Sequence, residues 1–283
     1  MVMLTREQFD RTRKLALRLA GIELCDRHRE LLARRSRRLP IPQPGGIEAL
    51  LGAAEAGDPP ACRQVIGLVT TNFTGFFRHP RHFEVAAEHA LRVVHDHGKV
   101  RLWSAAASTG EEPYSMAMAL IEGAQRDDPP ATVLATDIDA DALAVAAQGE
   151  YSDRTLRALK PERRRRFFNE AAVARRRCVA PAVRRLIGFR ALNLAGRTWP
   201  IEAPFDVIFC RNVLMYLEAC HRYAVVERLA SVLAPDGLLI LDPTEHLGQA
   251  GHLFTPGADG VYSPRPASGP PRDVIQECHI SHR

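Results

Sequence analysis

A chain of 283 residues with 46% hydrophobic and 25% charged residues has the make-up of a soluble globular protein, with room for one large core or a core plus a smaller domain. No apolar run approaches about 18 residues, so a transmembrane helix is excluded, and the charged start (Arg6, Glu7) lacks a signal core, so a cytoplasmic location is expected. The net charge of +5 is uneven: residues 1–40 hold eleven Lys/Arg against five Asp/Glu, which leaves the other 243 residues close to neutral and implies an acidic partner for the basic N-terminal module.

In chain order, residues 5–39 are predicted helical. Leu24, Leu31, Leu32 and Leu39 fit one apolar face, with Arg27, Arg34 and Arg38 on a flanking one. The break at residues 40–46 (PIPQPGG) ends this helix, and a short one follows at about 47–56. Residues 70–79 (TTNFTGFFRH) form no regular amphipathic pattern. They read equally as a loop that folds over a ligand and as a linker anchored by phenylalanines.

From residue 99 apolar runs alternate with helical patterns. The runs are Val100–Ala107, Ala131–Asp137, Phe205–Cys210 and Leu238–Asp242; the helices lie at Pro113–Gln125, Ala140–Gln148 and Leu217–Leu233. This alternation predicts a doubly wound α/β sheet, with a ligand at the C-terminal strand ends. The arginine-rich stretch 154–190 breaks it and is read as a helix followed by a small antiparallel β insert at about 168–190. The expected organisation is a basic helical module and linker (1–72), an α/β domain (73–263) and a disordered tail (264–283).

Three constellations carry candidate chemistry. In residues 101–115 (RLWSAAASTGEEPYS) a strand leads through small residues to a helix whose first turn holds Glu111, Glu112 and Pro113. Carboxylates there repel phosphate and accept a cationic ligand. Asp137, at the end of the second strand, is placed to bind both hydroxyls of a ribose; the competing helix-cap task suits Asp139 or Asp141. In residues 205–216 (FDVIFCRNVLMY) a strand ends at Arg211-Asn212. Asn212 is read as pairing with an adenine edge or capping a helix, and Tyr216 as lying near the same mouth. The six cysteines (25, 62, 178, 210, 220 and 278) contain no CxxC pair and are expected to be reduced thiols. Cys278, His279 and His282 are read as chance neighbours, so no metal is expected.

Together these segments resemble the CheR family of chemoreceptor glutamate methyltransferases. The resemblance rests on Thr70–Phe83, Arg101–Ser115, Ala135–Asp139, Leu192–Leu194, Phe205–Tyr216 and the Pro235-Asp-Gly-Leu-Leu run, and spans about residues 5–263. It implies an S-adenosylmethionine (SAM) dependent methyltransferase with a Rossmann-like doubly wound sheet, an N-terminal helical domain and a small antiparallel β insert. Carried over by position, it implies cofactor contacts from Asn72, Thr74, Arg78, Ala106, Glu112, Asp137, Asn193, Leu194, Asn212 and Val213, with Arg78 and Tyr216 flanking the methyl group. It implies methylation of glutamate carboxylates on chemoreceptor cytoplasmic helices, giving methyl esters and S-adenosylhomocysteine (SAH), with Arg27, Arg34 and Arg38 docking the acidic receptor. Neither nucleic-acid binding nor membrane insertion is expected.

The chain departs from the family pattern after the late strand, where Asp242-Pro-Thr-Glu245 replaces the usual His/Asn-Ser-Glu. Between Phe168 and Phe189 its only glycine is Gly188, so the enzyme is expected not to need the tethering pentapeptide of some receptors. Two other readings share these residues: a SAM-dependent methyltransferase of another protein or a small molecule, and a non-catalytic SAM- or SAH-sensing module. Reversing Arg34 and Arg38 to Glu is expected to weaken receptor methylation and leave SAM binding intact; an equal loss of SAM affinity would overturn the docking assignment.

Overall fold

A computed structural model describes residues 4–36, 45–173 and 175–265. Helix α1 (Arg6–Ala20) starts at a reciprocal capping box between Thr5 and Gln8 and stops at Gly21, whose φ of +66° lies in the left-handed region that favours glycine. The single helix expected over 5–39 is therefore two, and α2 (His28–Ser36) begins after a turn. Leu24 and Leu32 are buried but Leu31 is 41% exposed, so the expected leucine face is not continuous. Arg27 lies in the turn and Arg34 on α2, both exposed; Arg38 and Leu39 fall outside the described residues. Helices α3 (Gly46–Glu55) and α4 (Pro59–Val69) pack with α1 around Phe9, Leu15, Leu51, Val65 and Leu68, a hydrophobic cluster separate from those of the sheet.

After the irregular segment 70–79 come α5 (Pro80–His97), β1 (Val100–Ser104), α6 (Glu111–Ala124), β2 (Ala131–Asp137) and α7 (Ala140–Gln148). Then follow β3 (Glu150–Ser152), α8 (Pro161–Phe167), β4 (Phe168–Glu170), β5 (Arg176–Val179), α9 (Pro181–Arg184) and β6 (Ile187–Ala191). The chain continues with β7 (Phe205–Phe209), α10 (Ala219–Val232), β8 (Leu233–Ile240), β9 (Phe254–Pro256) and β10 (Val261–Pro264). The main sheet has the order β6-β2-β1-β7-β8-β10-β9, with β6 to β8 parallel and β10 and β9 antiparallel. Leu102, Trp103 and Ser104 are all buried, as a central strand covered on both faces requires. The chain winds from β1 outward through β2 to β6, then returns to β7 on the other side of β1. That reversal opens a crevice at the C-terminal ends of β1 and β7.

The insert differs from its expected position. Its three strands, ordered β3-β5-β4, span 150–179, and the run near Leu186 is β6, which pairs parallel with β2 from Val133↔Ile187 to Asp137↔Ala191. The period-two pattern was read correctly as strand; strand partners are long-range and are not written in it. The insert supports the 70–79 segment from beneath: Phe76 packs edge-on to Tyr151 and Phe168, and the Arg163 guanidinium lies 3.8 Å from the Phe77 ring centroid while forking onto Glu122.

The helical module closes over the crevice through the residues around Gly21. Glu218 N–H donates to Gly21 O (3.0 Å), Glu23 N–H to Tyr216 O (2.8 Å) and Asn193 Nδ2 to Leu19 O (2.9 Å). A β-carbon on Gly21 would come within 2.8 Å of Ala195 Cβ. Gly21→Ala combines this clash with left-handed strain, and unfolding by urea should show a loss of about 1–3 kcal/mol.

Candidate active site

The crevice is a cleft whose empty space amounts to about 960 Å³, open solvent at its mouth included. It is walled by the sheet ends, by segment 70–78 and by Ala20 and Ile22 of the helical module. Each residue expected to contact a cofactor lines it: Asn72, Thr74, Arg78, Ala106, Glu112, Asp137, Asn193, Leu194, Asn212 and Val213, and Tyr216 does too. They converge from five separate stretches of the chain, and their contacts are specific.

Glu112 is buried at the N-terminus of α6. Its Oε1 accepts from Ser104 Oγ (2.8 Å) and its Oε2 from Arg211 Nη1 (3.1 Å). Burial pushes its carboxyl above the usual range, while the Arg211 charge opposes that shift. Arg211 is itself 4% exposed; its Nη2 donates to Arg78 O (2.7 Å), and its guanidinium lies 5.8 Å from the Phe83 and Phe209 ring centroids. The expected task of Glu112, facing a cation, is thus filled inside the protein by Arg211, and a ligand ammonium would share that carboxylate. Sequence reasoning treated Arg211 only as a strand-end marker. The available signal was an arginine directly after a fully apolar strand, which needs a buried carboxylate partner.

Asp137 Oδ2 accepts from Ser108 N–H (2.7 Å) and Oδ1 from Asp139 N–H (2.9 Å), and burial pushes its pKa up. The capping alternative falls to Asp139, whose Oδ1 accepts from the N–H groups of Asp141 and Ala142. Asp139 Oδ2 also accepts from Asn72 Nδ2 (2.7 Å) and Thr70 Oγ1 (3.2 Å), so one carboxylate ties segment 70–72 to the start of α7. Arg35, on α2, holds the same segment from above through Thr70 O (2.6 Å) and Thr71 Oγ1 (2.9 Å). Neither tether was foreseen.

The strand-end loop 211–216 is organised by Glu245. It accepts from the N–H groups of Asn212 (2.6 Å), Val213 (2.9 Å), Met215 (3.3 Å) and Asp242 (3.2 Å), and Asn212 takes a φ of +58°. The backbone N–H groups of Asn212 and Val213 are therefore engaged within the protein, and the Asn212 side chain bonds to Asp242. Asn193 spends Nδ2 on Leu19 O and Oδ1 on Ala195 N–H. Arg78 lies against Phe73, with its guanidinium carbon 5.5 Å from the ring centroid and Nη2 3.7 Å from Asp242 Oδ2.

The donor set fits a ligand with hydroxyls and positive charge. Asp137 lines the cleft, Ser108 has a buried hydroxyl without a hydrogen-bond partner, and Glu112 adds a carboxylate where a phosphate would be repelled. Among the described residues, the only cluster of possible metal ligands is Glu218, Cys220 and His221, outside the cleft lining. Cys278, His279 and His282 lie outside the described residues.

Residues 72–258 match the family model "CheR methyltransferase, SAM binding domain". The chain belongs to the CheR methyltransferase family. It is 36% identical over 263 residues to chemotaxis protein methyltransferase 2 of Pseudomonas aeruginosa, covering 92% of this chain and 94% of that one. It is 35% identical to the chemotaxis protein methyltransferases of Salmonella typhimurium and Escherichia coli, covering 92% of this chain and 91% of each. This CheR-family chain is thus a SAM-dependent methyltransferase with an α/β fold, and among its described residues no helix is long and apolar enough to cross a membrane.

Arg211→Met would leave Glu112 buried without its cation. Chemical unfolding should reveal a loss of about 3–5 kcal/mol, the usual consequence of breaking a buried pair from one side.

Proposed function

We propose that this CheR-family enzyme methylates glutamate side chains on the cytoplasmic helices of a chemoreceptor, with Arg78 and Tyr216 acting on the substrate carboxylate. The observation that carries this reading is that both side chains border the cleft that holds Glu112, Asp137 and Ser108. SAM supplies an electrophilic methyl group when bound; the protein's residues bind, orient and exclude water.

Asp137 and Ser108 suit the ribose hydroxyls, and Glu112, steadied by Ser104 and Arg211, suits the cationic methionyl end. Asn72, Thr74, Ala106, Asn193, Leu194, Asn212 and Val213 complete the enclosure. A glutamate is already ionised at neutral pH, so the site needs no strong general base. Its main contribution is alignment, which supplies up to about 7–11 kcal/mol when reacting groups are well oriented. Arg78 is 33% exposed in its side chain and reaches the mouth, where a protein carboxylate arrives. Tyr216 offers a hydroxyl to the second carboxylate oxygen. Its backbone is pinned by Glu23 N–H, so the helical module that docks the receptor also steadies this residue. Arg27, Arg34 and the neighbouring N-terminal arginines are the proposed dock, with Arg34 paired to Glu30 on the exposed face of α2.

Incubation with SAM labelled in its methyl group and a candidate receptor cytoplasmic domain should place base-labile label on receptor glutamates. A receptor lacking a C-terminal pentapeptide should be labelled equally well. Base-stable label, or label on a small molecule alone, would refute the glutamate reading.

A further inference from the structure

Asp242 is a buried carboxylate that the cofactor contacts leave without a task. It follows β8, where the chain departs from the family pattern, and it does not line the cleft. Its Oδ1 accepts from Thr244 N–H (3.1 Å) and Thr244 Oγ1 (2.7 Å). Its Oδ2 is buried without a hydrogen bond of good geometry and faces His79 Nε2 at 3.3 Å and Arg78 Nη2 at 3.7 Å. Burial favours the neutral acid, but the bonds from Thr244, the Asn212 side chain and the neighbouring His79 outweigh it and hold the carboxyl down to about 2, which favours the ionised form at neutral pH. Asp242 is the only carboxylate within 4.0 Å of Arg78 among the described residues.

We propose that Asp242 is a positioning residue, holding Arg78 at the cleft mouth and sharing its charge so that a substrate carboxylate is oriented without being sequestered. The inference rests on the reading of Arg78 as the group that receives that carboxylate. The physical need is specific to carboxylate methylation. The nucleophile loses its charge as the ester forms, so an exclusive Arg–carboxylate pair is stronger in the ground state than in the transition state. Such a pair tightens binding and slows the chemical step. A resident carboxylate facing the same guanidinium weakens the ground-state pair and leaves its orienting geometry. The angle of approach is further limited by Phe73, whose carbonyl oxygen lies 3.5 Å from Arg78 Nη1 and whose ring lies under the guanidinium.

The test is Asp242→Asn, which keeps an oxygen to accept from Thr244. With Arg78 partly solvent-screened, the change should lower kcat and the receptor KM together by about fivefold, with SAM affinity unchanged. In an Arg78→Gln background the same substitution should no longer change receptor affinity. Unchanged kcat and KM would overturn the proposal. So would a fall in SAM affinity matching the fall in kcat, or an equal effect on receptor affinity without Arg78. If the Asn variant does not fold by circular dichroism, Asp242→Ser, which also offers an oxygen to Thr244, carries the same measurements. Failure of the wild-type enzyme to esterify receptor glutamates would sink the glutamate reading and this inference with it; ester formation with unaltered variant kinetics would sink this inference alone.

Discussion

The site is organised around one buried ion pair, Glu112 with Arg211. It joins three parts of the chain: the first turn of α6, the end of β7 and, through Arg78 O, the segment over the cleft. Burying two charges is costly, and such a pair adds little net stability compared with an apolar substitute. Its value here is geometric. A guanidinium that has left water must keep its partners, so the carbonyl of Arg78 and the carboxylate of Glu112 are held at fixed separation across the mouth of the crevice. Ser104 Oγ completes the arrangement from β1.

The remaining carboxylates divide the labour around that pair. Asp139 caps α7 with one oxygen and tethers Asn72 and Thr70 with the other. Glu245 gathers four backbone N–H groups and so shapes the loop that carries Asn212 and Tyr216. Asp137 accepts two backbone N–H groups and still faces the cleft. Several acids in one small volume remain compatible because each has donors of its own. The result is a cavity whose lining favours cationic, hydroxyl-bearing ligands over phosphates.

The covering helices are part of the site, not an appendage. Ala20 and Ile22 line the cleft, Leu19 O receives Asn193, and the αL turn at Gly21 lets the backbone approach Ala195 closely. Arg35 holds the segment at Thr70 and Thr71 from the same module. Receptor docking on exposed arginines of this module would therefore act on a body bonded directly to cleft-lining residues. The insert bears on the segment from the opposite side through Phe76 and Phe77.

Much of this was legible from residue order because it is local. Alternation of apolar runs with helical periods gave the parallel sheet, the small-residue turn before Glu111 and Glu112 gave the crevice, and Asp137 at a strand end gave an acid that lines it. The order of the motifs gave the family. The break at Gly21 was missed because helical periodicity on both sides of it is similar, and a single glycine does not announce its φ. The placement of Ile187–Ala191 beside β2, not in the insert, was missed because hydrogen-bonding partners of a strand are distant in sequence. By itself, then, the sequence determined the element types, the family and the residues that converge on one cleft. Only the tertiary structure decided which charge answers which: that Arg211 answers Glu112, Glu245 the loop N–H groups, and Asp242 Arg78. Those pairings are enforced by burial, which makes an unpartnered charge too costly to keep, and burial exists only once the chain has closed on itself.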